Sequence, residues 1–558
     1  MNLHSHWLFA MLLLPGFLQA SELFSFKRTG NRVVLAISDG AGELEWISSS
    51  SFRYRRSWRE LLPNRLRVPE EVDLDIRDSE SSLDISSTYL VVTIQKRGLQ
   101  LRVNTHEGET LFSDAAEARR SDGAIVLTRT ASPSARFFGL GMRDGPVELR
   151  GHQIQTDTPF LLSTVGYGER HTAQANYLFD FGTAQADQYR VEIRGSDEIS
   201  FFLYYGPGIK EILEQHLIVS GPLPAMRTRD FQPLAGKEIP PYAQSAMVRP
   251  DSSFEALGRA VRRLINGCLS GVLLPSLDLG KYREAPVDLY QRATQLGIAS
   301  PFVLLPEPWP GDLARTAAYA ALENKRKAAV PYLETYAQEA RDRGLPLVHP
   351  LPLQFPRDPS TYTIEDQFML GDELLVAPIL SGSGKRAVYL PMGAWTRLST
   401  NQQFRGRQTI QIEAEEDELP IFSRNGAIFP VIGGWWDFIG PYPMELHYFP
   451  KLAGEFFLWE SDLGAITQVH AAPAGDVMRL EIESKKDRDY EWVIHHAGKV
   501  TRVAEGDRNF QQGWHGGPWQ TRTWFFEEGR GNLHVRIHAK EDSDVIVNVY
   551  FEETPTSQ

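Results

Sequence analysis

Three patterns of apolar and polar positions follow one another along the chain. Up to about residue 205, apolar residues alternate with polar ones in short runs separated by turn residues. "NRVVLAISD", "YLVVTIQKRGLQLRVN", "AIVLTRT" and "YRVEIRGSDEISFFLYYG" are such runs. A period of two buries one face of a strand, and this spacing of turns predicts an antiparallel β-sandwich. "GIKEILEQHLIVSG" then predicts a short helix that stops at Gly221, a residue suited to the left-handed turn that ends helices.

The period changes after residue 226. In "FEALGRAVRRLING", Phe254, Leu257, Val261, Leu264 and Ile265 share one helical face. "GVLLPSLDLG" and "PFVLL" are continuous apolar runs, the mark of strands buried on both sides. "VDLYQRATQLG" between them reads as a helix. "LARTAAYAALENKRKAAVPYLETYAQEARDRG" reads as a helix interrupted near Pro331, because proline has no N–H for the helical ladder. Such alternation predicts parallel strands joined by right-handed helical crossovers. From about residue 346 strands return, in "DELLVAPIL", "RAVYLP", "GEFFLWE", "DVMRLEIES", "YEWVIHH" and "LHVRIHAKEDSDVIVNVYFEE". The fold class is multidomain β plus α/β, and "TPTSQ" reads as a frayed end.

Composition narrows the function classes. A chain of 558 residues is too long for one core, and roughly three to five domains are expected. Its formal net charge of -13 argues against nucleic acid or an anionic membrane surface as partner. Trp7 to Leu18 is apolar and Leu-Gln-Ala precedes Ser21; residues 1–20 read as a signal peptide, although no Lys or Arg precedes the apolar run. That run is too short to span a bilayer. The expected location is periplasmic or secreted, with no integral membrane contact. Cys268 is the single cysteine, which leaves no intrachain disulfide and no Cys-based metal site.

Two carboxylates stand out by position. Asp251 lies just ahead of a predicted helix. With Ser252, and with Glu255 three residues later, it forms a capping pattern, and acid/base chemistry is the competing role. Asp278 closes a buried strand, where α/β units gather their sites; it is either a ligand contact or a satisfied strand-end carboxylate. Trp435, Trp436, Trp514, Trp519 and Trp524 offer either sugar-stacking faces or packing between domains. His534 and His538 alternate with Leu533, Val535 and Ile537, which puts them on the polar face of a strand. "SGSGK" lacks the spacing of a phosphate-binding loop and reads as a loop.

Longer stretches carry a resemblance. "IEDQFMLGDELLVAPIL", "RAVYLPMGAWTRLSTNQQFRGRQTI" and "ELPIFSRNGAIFPV" resemble the region after the barrel in glycoside hydrolase family 31, the family of α-glucosidases and α-xylosidases. "FLWESDLGAI" resembles its "LYEDDG" turn. "ARFFGLGMRDGPVELRG" and "TPFLLSTVGYGE" resemble its N-terminal segments, and "YYGPGIKEILEQHLIVSGPLPAM" the approach to its barrel. "RRLINGCLSGVLLPSLDLGKY", "DLYQRATQLGIASPF" and "AAVPYLETYAQEARDRGLPLVHPL" look like the last third of that barrel. The resemblance implies an N-terminal mutarotase-like β-sandwich over 21–225 and a reduced (β/α)8-barrel remnant over 226–345. A proximal C-terminal β-domain over 346–432 and a distal one over 433–558 complete it. It also implies a retaining reaction, with one Asp as nucleophile and another as acid/base about 5–5.5 Å apart, and neither metal nor organic cofactor.

The sequence departs from that pattern where the chemistry sits. Only residues 227–253 separate "GPLPAM" from "FEALGRAV", where a barrel of ~250 residues would place about 200. Nothing matches the nucleophile motif "WIDMNE"; Asp230, the one Asp of "RTRDFQPLAGKEIPPY", has none of its surroundings. The family's "GDN-x-x-x-W" has five residues from Asp to Trp, whereas Asp251 precedes Phe254 by three, and a gapless match puts Arg249 at the acid/base position. "ADIGGF" is here "LDLGKY", which keeps Asp278, and "PFMRNH" is "PFVLLP", with Pro306 in place of a sugar-binding His. Three strands cannot close a barrel. The favoured expectation is a catalytically degenerate homologue that binds carbohydrate or another protein chain. The alternatives are a retaining α-glucosidase or α-xylosidase-type hydrolase whose site a partner chain completes in an oligomer, and an internal deletion without selected function.

Overall fold

Period-two alternation becomes sheet wherever the first pattern runs. The computed structural model describes residues 20–61, 66, 70–226, 228–231, 244, 246–305, 307–433, 443–514 and 517–552. The segment up to residue 19, expected to be a signal peptide, most of the connection Arg227–Tyr242, Pro306, Trp435, Trp436 and the terminal "TPTSQ" lie outside the described residues. The protein is mostly β-sheet and multidomain. It divides into two units, one made of the chain up to Pro133 with Gly151–Gln155 and His171–Leu203, the other of Ser134–Arg150, Thr156–Arg170 and the chain from Tyr204 onward.

In the first unit the sheets are antiparallel. Leu23–Thr29, Arg32–Ile37, Gly40–Ser48 and Ser51–Ser57 pair in succession. Asp75–Asp78, Ser82–Ser86, Leu90–Gln95, Leu101–Thr105 and Thr110–Ser113 form a second meander. Arg32–Ile37 turns Val33, Leu35 and Ile37 inward, as its alternation predicts. Gly40–Ser48 and Ser51–Ser57 differ, because both of their faces are buried. On one face Trp46 sits opposite Phe52 and Leu44 opposite Tyr54; on the other Glu45 sits opposite Arg53 and Glu43 opposite Arg55. Glu43 is fully buried and takes Arg53 and Arg55 at 3.2 Å each, and Glu45 takes Arg53 at 2.6 Å. Burial pushes the Glu45 carboxyl up and the Arg53 guanidinium down. Desolvation therefore works against these pairs, and their mutual attraction offsets it.

The second unit holds the α/β segment. Strands β1 (Met247–Val248), β2 (Ser276–Asp278) and β3 (Phe302–Leu304) are parallel neighbours in that order. Helices α1 (Phe254–Cys268) and α2 (Val287–Ile298) connect them, and α3 (Leu313–Arg343) follows. Leu257, Val261, Leu264 and Ile265 of α1 are fully buried, which is the predicted apolar face. Upstream, the helix Ile209–Ser220 ends as expected at Gly221, whose N–H reaches the Leu217 carbonyl at 2.8 Å with φ 77°.

One expectation is corrected. Helix α3 runs unbroken through Pro331. The ring forfeits a hydrogen bond to the Lys327 carbonyl, at a cost of about 3 kcal/mol. Ala328, Ala329, Tyr332 and Leu333 around it are buried, and that packing holds the helix together. One turn earlier, Arg326 is fully buried and faces carbonyls only. It donates to Gly297 (2.7 Å), Ser300 (2.6 Å), Pro301 (2.9 Å) and Phe231 (2.7 Å). Burial pushes its guanidinium down to about 9, so it stays protonated at neutral pH. The Phe231 ring stacks on Phe302 of β3 at 5.5 Å, so the connection upstream of β1 is held against the other edge of the sheet.

Beyond α3 the unit is β again. Val348–Pro350, Phe368–Leu370, Leu374–Val376, Ile421–Arg424, Ala394–Arg397 and Gln402–Arg405 form one sheet. It packs around Trp395, Met369, Leu375 and Phe422. Two further six-stranded sheets follow, built on Ile428–Ile432 and on Gly454–Glu460. Tyr332 of α3 stacks on Phe456 at 5.9 Å, and the Tyr332 hydroxyl donates to Glu373 at 3.0 Å. Tyr336 donates to the same carboxylate. Burial first, and then the adjacent Asp372, push Glu373 up to about 7, against the pull of Arg424.

Two outcomes follow for equilibrium unfolding in urea. Arg326→Leu strands four buried carbonyls and should cost about 4 kcal/mol at pH 7. The raised Glu373 pKa means the folded state keeps a proton that the unfolded chain has lost. Its contribution is complete below the unfolded value and is lost as pH rises through about 7. Stability should therefore fall between about pH 4.5 and 7, and Glu373→Gln should flatten that part of the profile.

Candidate ligand site at the strand ends

Parallel strands deliver their C-terminal residues to one edge. The exit of β1 carries Arg249, Pro250 and Asp251, and the exit of β2 carries Asp278, Leu279, Gly280 and Lys281. The loop after β2 turns back at once, because Asp278 Oδ1 accepts the Gly280 N–H at 3.0 Å. Its other oxygen takes Arg249 Nε at 3.1 Å. Lys281, on the same turn, reaches Asp251 at 2.5 Å, and the Tyr282 hydroxyl donates to the Asp251 carbonyl at 3.0 Å. The two sequence-predicted carboxylates thus lie on adjacent strand ends, cross-linked by cations from each other's loops.

Asp251 is not the helix cap. Ser253 occupies that place, with extended backbone, and its Oγ accepts the Ala256 N–H at 3.1 Å. Glu255 is then one position too early for a capping box and pairs with Arg259 at 2.6 Å instead. The residue directly before the first apolar position was the better sequence signal. Asp251 is exposed, its side chain 73% accessible. The Lys281 hydrogen bond, and then its charge, hold the Asp251 carboxyl below the ordinary carboxylate range. A general acid must carry its proton near the working pH, and this carboxyl does the opposite.

A cavity of about 150 Å³ opens here, lined among others by Asp144, Arg249, Asp251, Arg259 and Arg263. Small-molecule sites begin at about 300 Å³, so the strand ends form a shallow, charged notch. The reading of the residues missed Trp309. It lies in the loop after β3, is half exposed, donates to Glu284 at 2.8 Å and covers the Arg283 guanidinium at 3.6 Å. The signal was there: "EPWPGD" places a tryptophan on the site side of a buried strand.

The other singled-out aromatics separate. Trp524 is buried, Trp519 lies over Arg536 at 5.1 Å, and Trp514 is 68% exposed. His534 pairs with Glu491 at 2.7 Å and His538 with Asp489 at 2.9 Å. Among the described residues no three His, Cys, Asp or Glu side chains gather as a metal site, and no helix is long and apolar enough to cross a membrane.

Residues 344–429 match the family described as "Glycosyl hydrolase family 31 C-terminal domain". The chain is related to glycoside hydrolase family 31. An isomaltosyltransferase of Sporosarcina globispora is 31% identical over 204 residues, 32% of this chain and 18% of that protein. An α-glucosidase 2 of Bacillus thermoamyloliquefaciens is 27% identical over 284 residues, 45% of this chain and 35% of that protein. The matched stretch is thus about a third or less of these relatives' length. A family 31 dextranase from Flavobacterium johnsoniae, solved with isomaltotriose, superposes with a TM-score of 0.80 at 16% identity, covering 95% of this chain and 100% of that one. At that identity the likeness is one of fold.

The Asp251–Lys281 contact has a direct check. In a side-chain carboxyl NMR titration Asp251 should titrate below the ordinary carboxylate range and return to it in Lys281→Ala. Ser253→Ala should cost about 1 kcal/mol of stability, and Asp251→Ala much less.

Proposed function

We propose that this chain is a family 31-type protein that binds α-linked oligosaccharides at the strand ends and lacks the retaining hydrolysis of the family. The α/β segment is then the last third of a barrel, with Asp278 as its inherited sugar contact and Trp309 as a stacking face. Asp251 is a charged residue of the rim. The observation that carries this reading is the pairing of both candidate carboxylates with cations, Asp278 with Arg249 and Asp251 with Lys281. A double displacement needs one ionised nucleophile and one protonated acid close together. Asp251, held below the ordinary carboxylate range by Lys281, is not suited to be the protonated partner. The sequence supplies no match to the nucleophile motif, and a shallow notch would hold a sugar at the surface without shielding it from water.

The full chain should be incubated with 4-nitrophenyl α-glucoside and α-xyloside, and titrated with isomaltotriose by calorimetry. The expected result is no release of nitrophenol and a saturable isotherm that Trp309→Ala weakens about tenfold. Turnover abolished by Asp251→Asn would overturn the proposal. Specific activity that rises with protein concentration would replace it with a site completed by a partner chain. Absence of both turnover and binding would also overturn it.

A further inference from the structure

We propose that the cleft between α3 and strand Gly454–Glu460 is a second binding site, for a neutral saccharide, independent of the strand ends. Its volume is about 440 Å³, within the range of small-ligand pockets. One wall is this strand, which gives the cleft Phe456 from its buried side and Glu455, Phe457 and Trp459 from its exposed side. Phe456, Leu458 and Glu460 are buried, while Glu455, Phe457 and Trp459 face the other way. Polar residues are the rule on such a face. Here Phe457 is 47% exposed, and Ile466, opposite Trp459 on the next strand, is 44% exposed. The second wall is a polar stripe of α3. Thr335, Gln338, Glu339 and Asp342 recur at helical spacing and all line the cleft. The Trp459 N–H donates to Thr335 Oγ1 at 3.0 Å and fixes one wall against the other.

The charges decide the ligand class. Arg343 is taken up by Glu339 at 2.8 Å and Glu214 at 2.6 Å, and Asp342 accepts Gln338 at 2.8 Å. At the base, Glu373 is held by the Tyr332 and Tyr336 hydroxyls and Asp372 by Lys210. Among the charged groups of the lining, two have capacity left over. The Glu455 side chain has no ion pair or hydrogen bond among the described residues, and Arg424, 3.7 Å from Glu373, keeps a buried Nε without a hydrogen-bond partner. A phosphorylated ligand would meet more carboxylates than cations. A quaternary ammonium would meet a guanidinium where an aromatic cage needs rings. A hydroxylated ring fits all three features: C–H faces on Phe457 and Trp459, an O–H to Glu455, and an oxygen accepting from Arg424.

The test uses the full chain carrying Trp309→Ala, which removes the stacking face at the strand ends. Calorimetric titration with maltotriose and with isomaltotriose is paired with hydrogen exchange of the backbone. The expected result is saturable binding of at least one trisaccharide, with slowed exchange at 335–343 and 455–459. Adding Phe457→Ala should weaken it about tenfold, and Glu455→Gln should weaken it less. Phe457 is exposed, so its removal leaves the core intact, and a circular-dichroism melt checks this. Affinity unchanged by both substitutions, protection confined to 249–284, or no binding in the Trp309→Ala chain would overturn the proposal. So would tighter binding of choline or inorganic phosphate at the same segments. Loss of the strand-end reading alone leaves these outcomes unchanged.

Discussion

The α/β segment depends on one buried cation. Three parallel strands with two open edges make a poor sheet by themselves, and Arg326 supplies what the sheet lacks. Its guanidinium collects the carbonyls that end α2, the turn into β3, and Phe231 from the connection ahead of β1. No carboxylate is needed, because the negative end of the α2 dipole and three further carbonyls already surround the charge. A fork of fixed N–H donors suits this work better than an ammonium would. Pro331 is tolerated in the same helix because the turns around it are locked in place by this contact and by Tyr332.

The strand ends follow from this frame. Holding β1, β2 and β3 in parallel puts Asp251 and Asp278 on neighbouring exits, and short turns bring Arg249 and Lys281 across. Each carboxylate then has a cation close by, and Lys281 holds Asp251 below the ordinary carboxylate range. On the reading proposed above, this pairing serves to hold a ligand.

Much of this was legible in the sequence. Periodicity located the sheets of the first unit, α1, α2, β2 and β3, because burial on one face or on both leaves a mark in the order of residues, whereas the two-residue β1 is too short to leave one. The cap of α1 was misread because Asp251, Ser252 and Ser253 are all capable caps, and only backbone conformation selects among them. The break expected at Pro331 failed because packing from distant residues outweighed a local rule. Trp309 and the Phe457 cleft were not seen, since each acquires meaning from partners far away along the chain. The ion pairs Arg249–Asp278 and Asp251–Lys281 span about thirty residues and no short motif announces them.

The strand pair Gly40–Ser48 and Ser51–Ser57 carries a further consequence. Both faces are buried, one oily and one ionic, so neither can be turned toward water to absorb a mistake. A slip of one residue would set Glu45 against an aromatic ring. A slip of two would leave only one of the two acid–base rungs intact. The ladder therefore proofreads its own alignment, and a charged interior that contributes little net energy makes the hairpin intolerant of any pairing but one.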